Sequence, residues 1–109
     1  IMKIKFTSIF PFRHIYINDL LNKPAIYSFW FKDVSQPLYI GKTEKLRRRM
    51  FEYYRGGHNL DLDMYLRIEE KRKFIRVKYF NCAMNLLVKK EEDYIFWLNP
   101  KFNKDKKRK

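Results

Sequence analysis

Two stretches decide the fold: Ala25-Ile26-Tyr27-Ser28-Phe29-Trp30-Phe31, and, after a polar break, Leu38-Tyr39-Ile40-Gly41. Both are aromatic and β-prone, the composition of half-buried strands. Period-two alternation sends Ile26, Ser28 and Trp30 to one face and Tyr27, Phe29 and Phe31 to the other. The break, Lys32-Asp33-Val34-Ser35-Gln36, is short and polar, so the two strands read as a hairpin that brings Tyr27 and Tyr39 into one region.

Downstream of Gly41, Thr43 reads as a helix N-cap, with Leu46, Met50 and Tyr54 recurring as a core stripe. Gly56-Gly57 stops that helix. Asn59 or Asp61 opens another, carrying Leu62, Tyr65, Leu66 and Ile68 to about Lys71. Residues 74–80 alternate, Ile75, Val77 and Tyr79 against Arg76 and Lys78, which predicts a third strand. Asn81 then caps a last helix with Met84, Leu87, Val88, Ile95 and Leu98 on one face, ended by Pro100. Upstream, residues 3–10 read as an irregular extended arm, and Asn18-Asp19-Leu20-Leu21 as one helical turn. The expected order is β-β-α-α-β-α: an α+β domain with a small three-stranded antiparallel sheet flanked by helices. The chain divides into an N-terminal arm (1–24), a compact domain (25–103) and a basic tail (104–109).

The 109 residues carry 25 basic and 12 acidic side chains, a net charge of +13 that favours a polyanionic partner. Hydrophobic residues at 46% supply a core and argue against global disorder. Cys82 is the single cysteine, so an internal disulfide is excluded and a buried, inert thiol is expected. With His14 and His58 the only histidines, a zinc site built from Cys and His is not expected. No apolar run is long enough for a membrane span, and the N-terminal order is not that of a signal peptide. The expectation is an intracellular protein that binds nucleic acid, with no membrane partner.

A tyrosine in a half-buried strand is ordinarily packing. The pair Tyr27 and Tyr39 gains interest from Gly41, where a backbone or phosphate can approach closely, and from Lys42 beside it. A phenol with pKa near about 10 is a poor base unaided, and a nearby ammonium favours its ionised form. On the first helix Arg49 and Tyr53 share a face, so Arg49 can reach a phosphate in a cleft. Arg47, Arg48 and Arg49 form a run, however, and composition does not choose among them. Glu91 falls on the apolar stripe of the last helix, whereas Glu92 and Asp93 do not. A carboxylate there must be paired or bind a metal; one carboxylate with water and phosphate oxygens is a typical Mg²⁺ environment. Asn103 and His58 read as loop residues.

These motifs together resemble the GIY-YIG nuclease family over about residues 24–103. Ala25-Ile26-Tyr27 and Tyr39-Ile40-Gly41 match its two tripeptides, with Ala25 standing where the family has glycine. Counting from Tyr39, Lys42, Arg49 and Tyr53 follow at 3, 10 and 14 residues, the offsets of the DNA-repair branch. Glu91 precedes Asn103 by twelve residues with Pro100 between, again as in the family. The resemblance selects Arg49 from its run and Glu91 over Glu92. It implies Glu91 as the protein's ligand to Mg²⁺ or Mn²⁺ and Arg49 at the scissile phosphate. Tyr27, Tyr39 and Lys42 would position or activate the attacking water. Tyr53 would bind phosphate or water, and Asn103 would support the site.

Arg47, Arg48, His58, Lys104, Lys106 and Lys107 are expected to contact nucleic acid, DNA before RNA. Targeting would rest on the arm, the loop at Gly56–Leu60, the tail, or a partner protein. The implied function is a metal-dependent endonuclease that hydrolyses phosphodiesters in one step. The alternative is a catalytically silent nucleic-acid-binding module.

Overall fold

A computed structural model of the chain describes residues 6–103. Lys104, Lys106, Lys107 and the rest of the expected tail lie outside the described residues. The α+β class stands, and the sheet has four strands: β1 (Ser8–Pro11), β2 (Ala25–Phe31), β3 (Tyr39–Thr43) and β4 (Ile75–Asn81). Their spatial order is β1-β4-β2-β3, all antiparallel. The extra strand comes from the segment read as an irregular arm, where Ser8–Pro11 pairs with Tyr79–Arg76. Its apolar residues do not alternate cleanly, so the pattern was too weak to declare a strand; pairing to β4 supplies what propensity does not.

The helices are α1 (His14–Asn18), α2 (Leu46–Arg55), α3 (Leu60–Leu66), α4 (Glu69–Arg72) and α5 (Leu87–Leu98), the last preceded by a short 3₁₀ turn at Met84–Leu86. The single turn expected at residues 18–21 lies earlier, at α1. The helix expected from Asn59 to Lys71 is broken into α3 and α4. Asn59 does cap α3, its side chain accepting from the Leu62 N–H at 3.1 Å.

Helices cover both faces of the sheet, which explains why β2 is buried on both sides for five of its residues. On one face Tyr27 and Phe29 join Leu46, Met50 and Tyr53 of α2 with Leu62 and Leu66 of α3. On the other, Ile26 and Ile40 pack against Leu87, Tyr94 and Ile95 of α5. Ser28, buried on that second face, donates to the Lys78 carbonyl at 2.8 Å and accepts from Trp30 Nε1 at 2.7 Å.

Three local expectations change. Thr43 does not cap α2: it is the last residue of β3, and its hydroxyl accepts from the Lys45 N–H at 3.1 Å. The first N–H groups of α2 are taken by the chain before the hairpin, Leu46 N–H donating to the Lys23 carbonyl at 3.0 Å and Arg48 N–H to Asn22 Oδ1 at 3.1 Å. Asn81 ends β4 instead of capping α5. The 3₁₀ turn resets the register, so the buried face of α5 is Leu87, Glu91, Tyr94 and Ile95, while Met84 and Val88 are exposed. Cys82 is half-buried, and burial raises its thiol pKa.

Tyr27 lies directly across from Gly41 in the β2–β3 register. A Cβ on Gly41 would overlap the Tyr27 phenol oxygen and ring carbon. Glycine is needed there because the phenol crosses over the backbone of the neighbouring strand. Gly41→Ala is expected to destabilise the fold by about 1–3 kcal/mol, the cost of overpacking. In a Tyr27→Phe background the same change is expected to cost less, because the atom nearest the new methyl is gone. Chemical denaturation of the four proteins checks this; additive costs would contradict the contact.

Candidate active site

Strand β3 is an edge strand, and the sequence-predicted residues gather on its two faces. Tyr27, Tyr39, Tyr53 and Arg49 lie on the α2 side; Lys42 and Glu91 lie on the α5 side. Gly41 and Lys42, consecutive residues about 3.8 Å apart at Cα, are where the two groups adjoin.

On the α2 side, the Tyr27 and Tyr53 hydroxyls share a buried hydrogen bond of 2.8 Å. Tyr39 is half-buried beside them, its ring centroid 6.4 Å from Tyr27 and 6.5 Å from Tyr53. Burial pushes the Tyr27 phenol above the ordinary range; the Tyr39 phenol adds to this, and the Tyr53 hydrogen bond and Arg49 offset only part. Burial raises Tyr53 as well, reinforced by Tyr27 and Tyr39. Both therefore keep their protons and act as hydrogen-bonding groups in this geometry. Lys42 does not promote ionisation of Tyr27, since it projects to the opposite face.

Arg49 is half-buried in the α2 wall. Burial disfavours its charge, but Tyr27, Tyr53 and Glu52 together outweigh this, and the guanidinium pKa is raised. Its Nε donates to Glu52 Oε1 at 3.0 Å, while Arg48 Nε lies 3.5 Å from Glu52 Oε2. Glu52 was missed in the sequence; an acidic residue three after Arg49 and four after Arg48 is the signal that marks it. A cleft of about 470 Å³ opens here, lined by Thr43, Glu44, Lys45, Arg48, Arg49 and Glu52. Of the arginine run, Arg47 and Arg48 are exposed and Arg49 alone is half-buried.

On the α5 side, Glu91 is 4% exposed, and its Oε1 is 3.5 Å from Lys42 Nζ. The expectation of a carboxylate on a buried stripe thus holds, and Lys42 is its charge partner. Among the described residues no three His, Cys, Asp or Glu side chains cluster, so a closed protein cage is not on offer there. A single carboxylate is a donor suited to a hard divalent ion that keeps most of its water.

Asn103 is buried and hydrogen-bonds both polar backbone groups of Ile40. Ile40 N–H donates to its Oδ1 at 2.9 Å, and its Nδ2 donates to the Ile40 carbonyl at 2.7 Å. The neighbouring Phe102 and Lys101 N–H groups donate to the Leu38 and Pro37 carbonyls at 2.8 and 2.9 Å. The segment after α5 thereby covers the open edge of β3. His58 follows Gly56 and Gly57, its ring 4.7 Å from that of Tyr53. Burial and Arg49 lower its pKa, which favours a neutral imidazole at pH 7.

No family model matches the chain. It is similar to UvrABC system protein C of Mycoplasma capricolum subsp. capricolum, 30% identical over 90 residues, and of Mycoplasma mycoides subsp. mycoides SC, 33% identical over 89 residues. The alignments cover 80% and 78% of this chain but span only 14% of the length of each relative. Solved structures of the GIY-YIG N-terminal endonuclease domain of UvrC from Thermotoga maritima superpose with TM-scores of 0.61 and 0.59 at 22% and 23% identity. They cover 82% and 80% of this chain and 91% and 89% of those chains. Both are point mutants bound to a catalytic divalent cation. This chain has the GIY-YIG domain fold, and the resemblance read from the motifs extends to the backbone over about four-fifths of the chain.

The protonated phenol pair gives a direct expectation. Its stability contribution is fully present below the ordinary phenol pKa of about 10 and is lost as pH rises through the raised folded-state values. Tyr27 and Tyr53 are expected to keep their protons in the native protein at pH about 11 and to lose them in denaturant. Phenolate absorbance followed alongside circular dichroism checks this; eight phenolates in a still-folded protein would contradict it.

Proposed function

We propose that the chain is a divalent-metal-dependent endonuclease that hydrolyses phosphodiester bonds, with DNA as its first substrate. The observation that carries the reading is the part-buried Glu91–Lys42 pair on one face of β3, opposite Arg49 and the three tyrosines on the other. The chain spans a small part of its UvrABC relatives, so a role in a larger repair assembly with protein partners is part of the proposal.

Each chemical requirement of the reaction has a residue. Glu91 would hold the cation, with Lys42 as its charge partner. A divalent ion bound there would supply Lewis-acid stabilisation of the leaving oxygen. Arg49, held by Glu52 through Nε, directs its remaining N–H groups at the scissile phosphate, where negative charge grows as the water oxygen bonds to phosphorus. Tyr39 is the least buried of the three phenols and orients the attacking water, whose proton passes to bulk solvent as its oxygen bonds to phosphorus and the leaving oxygen departs. Tyr27 keeps its proton and, with Tyr53, fixes the floor on which Tyr39 and Arg49 rest. Asn103 acts through β3 and touches no reacting atom. Arg47, Arg48 and His58 contact nucleic acid outside the chemistry, and Lys104, Lys106 and Lys107 add sequence-independent attraction to phosphates.

A silent binding module would tolerate loss of Glu91 or Arg49, so single-turnover cleavage of supercoiled DNA with Mg²⁺ or Mn²⁺ separates the readings. Glu91→Gln is expected to abolish cleavage while folding and DNA binding persist, and Glu92→Gln to cut normally. Arg49→Ala is expected to slow the chemical step at least about a hundredfold, as for one lost transition-state donor. Arg48→Ala is expected chiefly to weaken binding and flatten its salt dependence. Equal activity of wild type and Glu91→Gln removes the metal role; matching rates for the two arginine variants remove the assignment of Arg49.

A further inference from the structure

A groove of about 690 Å³, larger than the cleft beside Arg49, lies on the other flank of α2, between α1 and α4. Its floor is aromatic: the Phe12 and Tyr54 rings meet at 5.7 Å, and the Arg72 guanidinium lies over Tyr54 at 4.8 Å. At its rim Tyr16 is 44% exposed. Arg13 and Lys73 add two exposed cations, and Glu69 is the single acidic residue in the lining. No role in the proposed chemistry reaches this far.

We propose that this groove is a second nucleic-acid contact, one that takes an unpaired stretch of strand leading away from the cleavage cleft. The inference rests on the reading that the chain acts on nucleic acid. It specifies the substrate as duplex with a single-stranded extension. Three observations select that occupant. The lining joins planar side chains, Tyr16 and the Arg72–Tyr54 stack, to an excess of positive charge, the combination that holds bases and phosphates together. The faces of bases are open to stacking only where the strand is unpaired. The surface between groove and cleft is itself basic: Arg48 and Arg55, two turns apart on α2, lie on one exposed line with Arg47 alongside. A helix is about 10 Å across, a width that a few nucleotides of single strand can cross. Bases then stack on Tyr16 and Arg72, and phosphates lie against Arg13 and Lys73.

The test uses the full chain carrying Glu91→Gln, so that bound DNA is not cut, and fluorescence anisotropy with two probes: a blunt duplex and the same duplex with a single-stranded extension. Tyr16→Ala is expected to weaken binding of the extended probe at least about fivefold, the low end for one lost stacking platform, and to change blunt-duplex binding less than about twofold. Tyr16→Phe is expected to restore the affinity. Lys73→Ala is expected to reduce the log–log salt slope by about one for the extended probe only. Equal losses on both probes, or none on either, overturn the proposal. So does displacement of the wild-type groove by polyglutamate with no competition from the extended strand, which would mark a surface for acidic protein. Wild-type cleavage with Mg²⁺ is read separately. Failure to cut any DNA, with the Tyr16 effect intact, sinks the nuclease reading and leaves the groove.

Discussion

The bidentate clamp of Asn103 on Ile40 is the constraint on which the site depends. An edge strand presents unpaired N–H and C=O groups, and those of Ile40 are buried beneath the chain that follows α5. Left unmet, each would cost about 1–3 kcal/mol. One amide side chain satisfies both, its oxygen accepting from the N–H and its nitrogen donating to the carbonyl. Residues 38–40 are thereby held from both sides, by β2 inside and by 101–103 outside. Ile40 and Lys42 then face α5, and Tyr39 and Gly41 face α2.

That placement explains how one short strand serves two kinds of electrostatic environment. On the α5 side a buried carboxylate is balanced by an ammonium at 3.5 Å, a charged and cation-ready arrangement. On the α2 side two phenols are driven toward neutrality by burial, and the charge is carried by Arg49, tethered to Glu52. The gap between these environments is a single residue of β3. Gly41 is what permits it, since any side chain there would displace the Tyr27 phenol.

Much of this was legible in the residues. The hairpin, the stop at Gly56-Gly57, the third alternating strand and the odd carboxylate at Glu91 all follow from periods of two and 3.6 residues and from turn chemistry. Two of the misplacements depend on contacts far away in sequence, and a third on a local turn. Residues 8–11 become a strand only because β4 is there to pair with. The N-terminus of α2 is capped by Asn22 and Lys23, so Thr43, a good cap by type, is not used as one. Val88 fitted the apolar stripe of α5 and Tyr94 was overlooked, because a 3₁₀ turn shifts where the helix begins. At the candidate site, the resemblance supplied what periodicity could not, singling out Arg49 and Asn103. Glu52 escaped because its meaning lies in the guanidinium it holds.

The central claim is that β3, clamped at its edge, is what brings the two halves of the site into register. Native-state hydrogen exchange at the Ile40 amide in Asn103→Ala, measured together with single-turnover cleavage, tests it most directly. The account predicts that Ile40 loses protection while the β2–β4 amides at the centre of the sheet keep theirs, and that cleavage falls in the same variant. Full cleavage with Ile40 unprotected would contradict the claim, as would lost cleavage with Ile40 still protected.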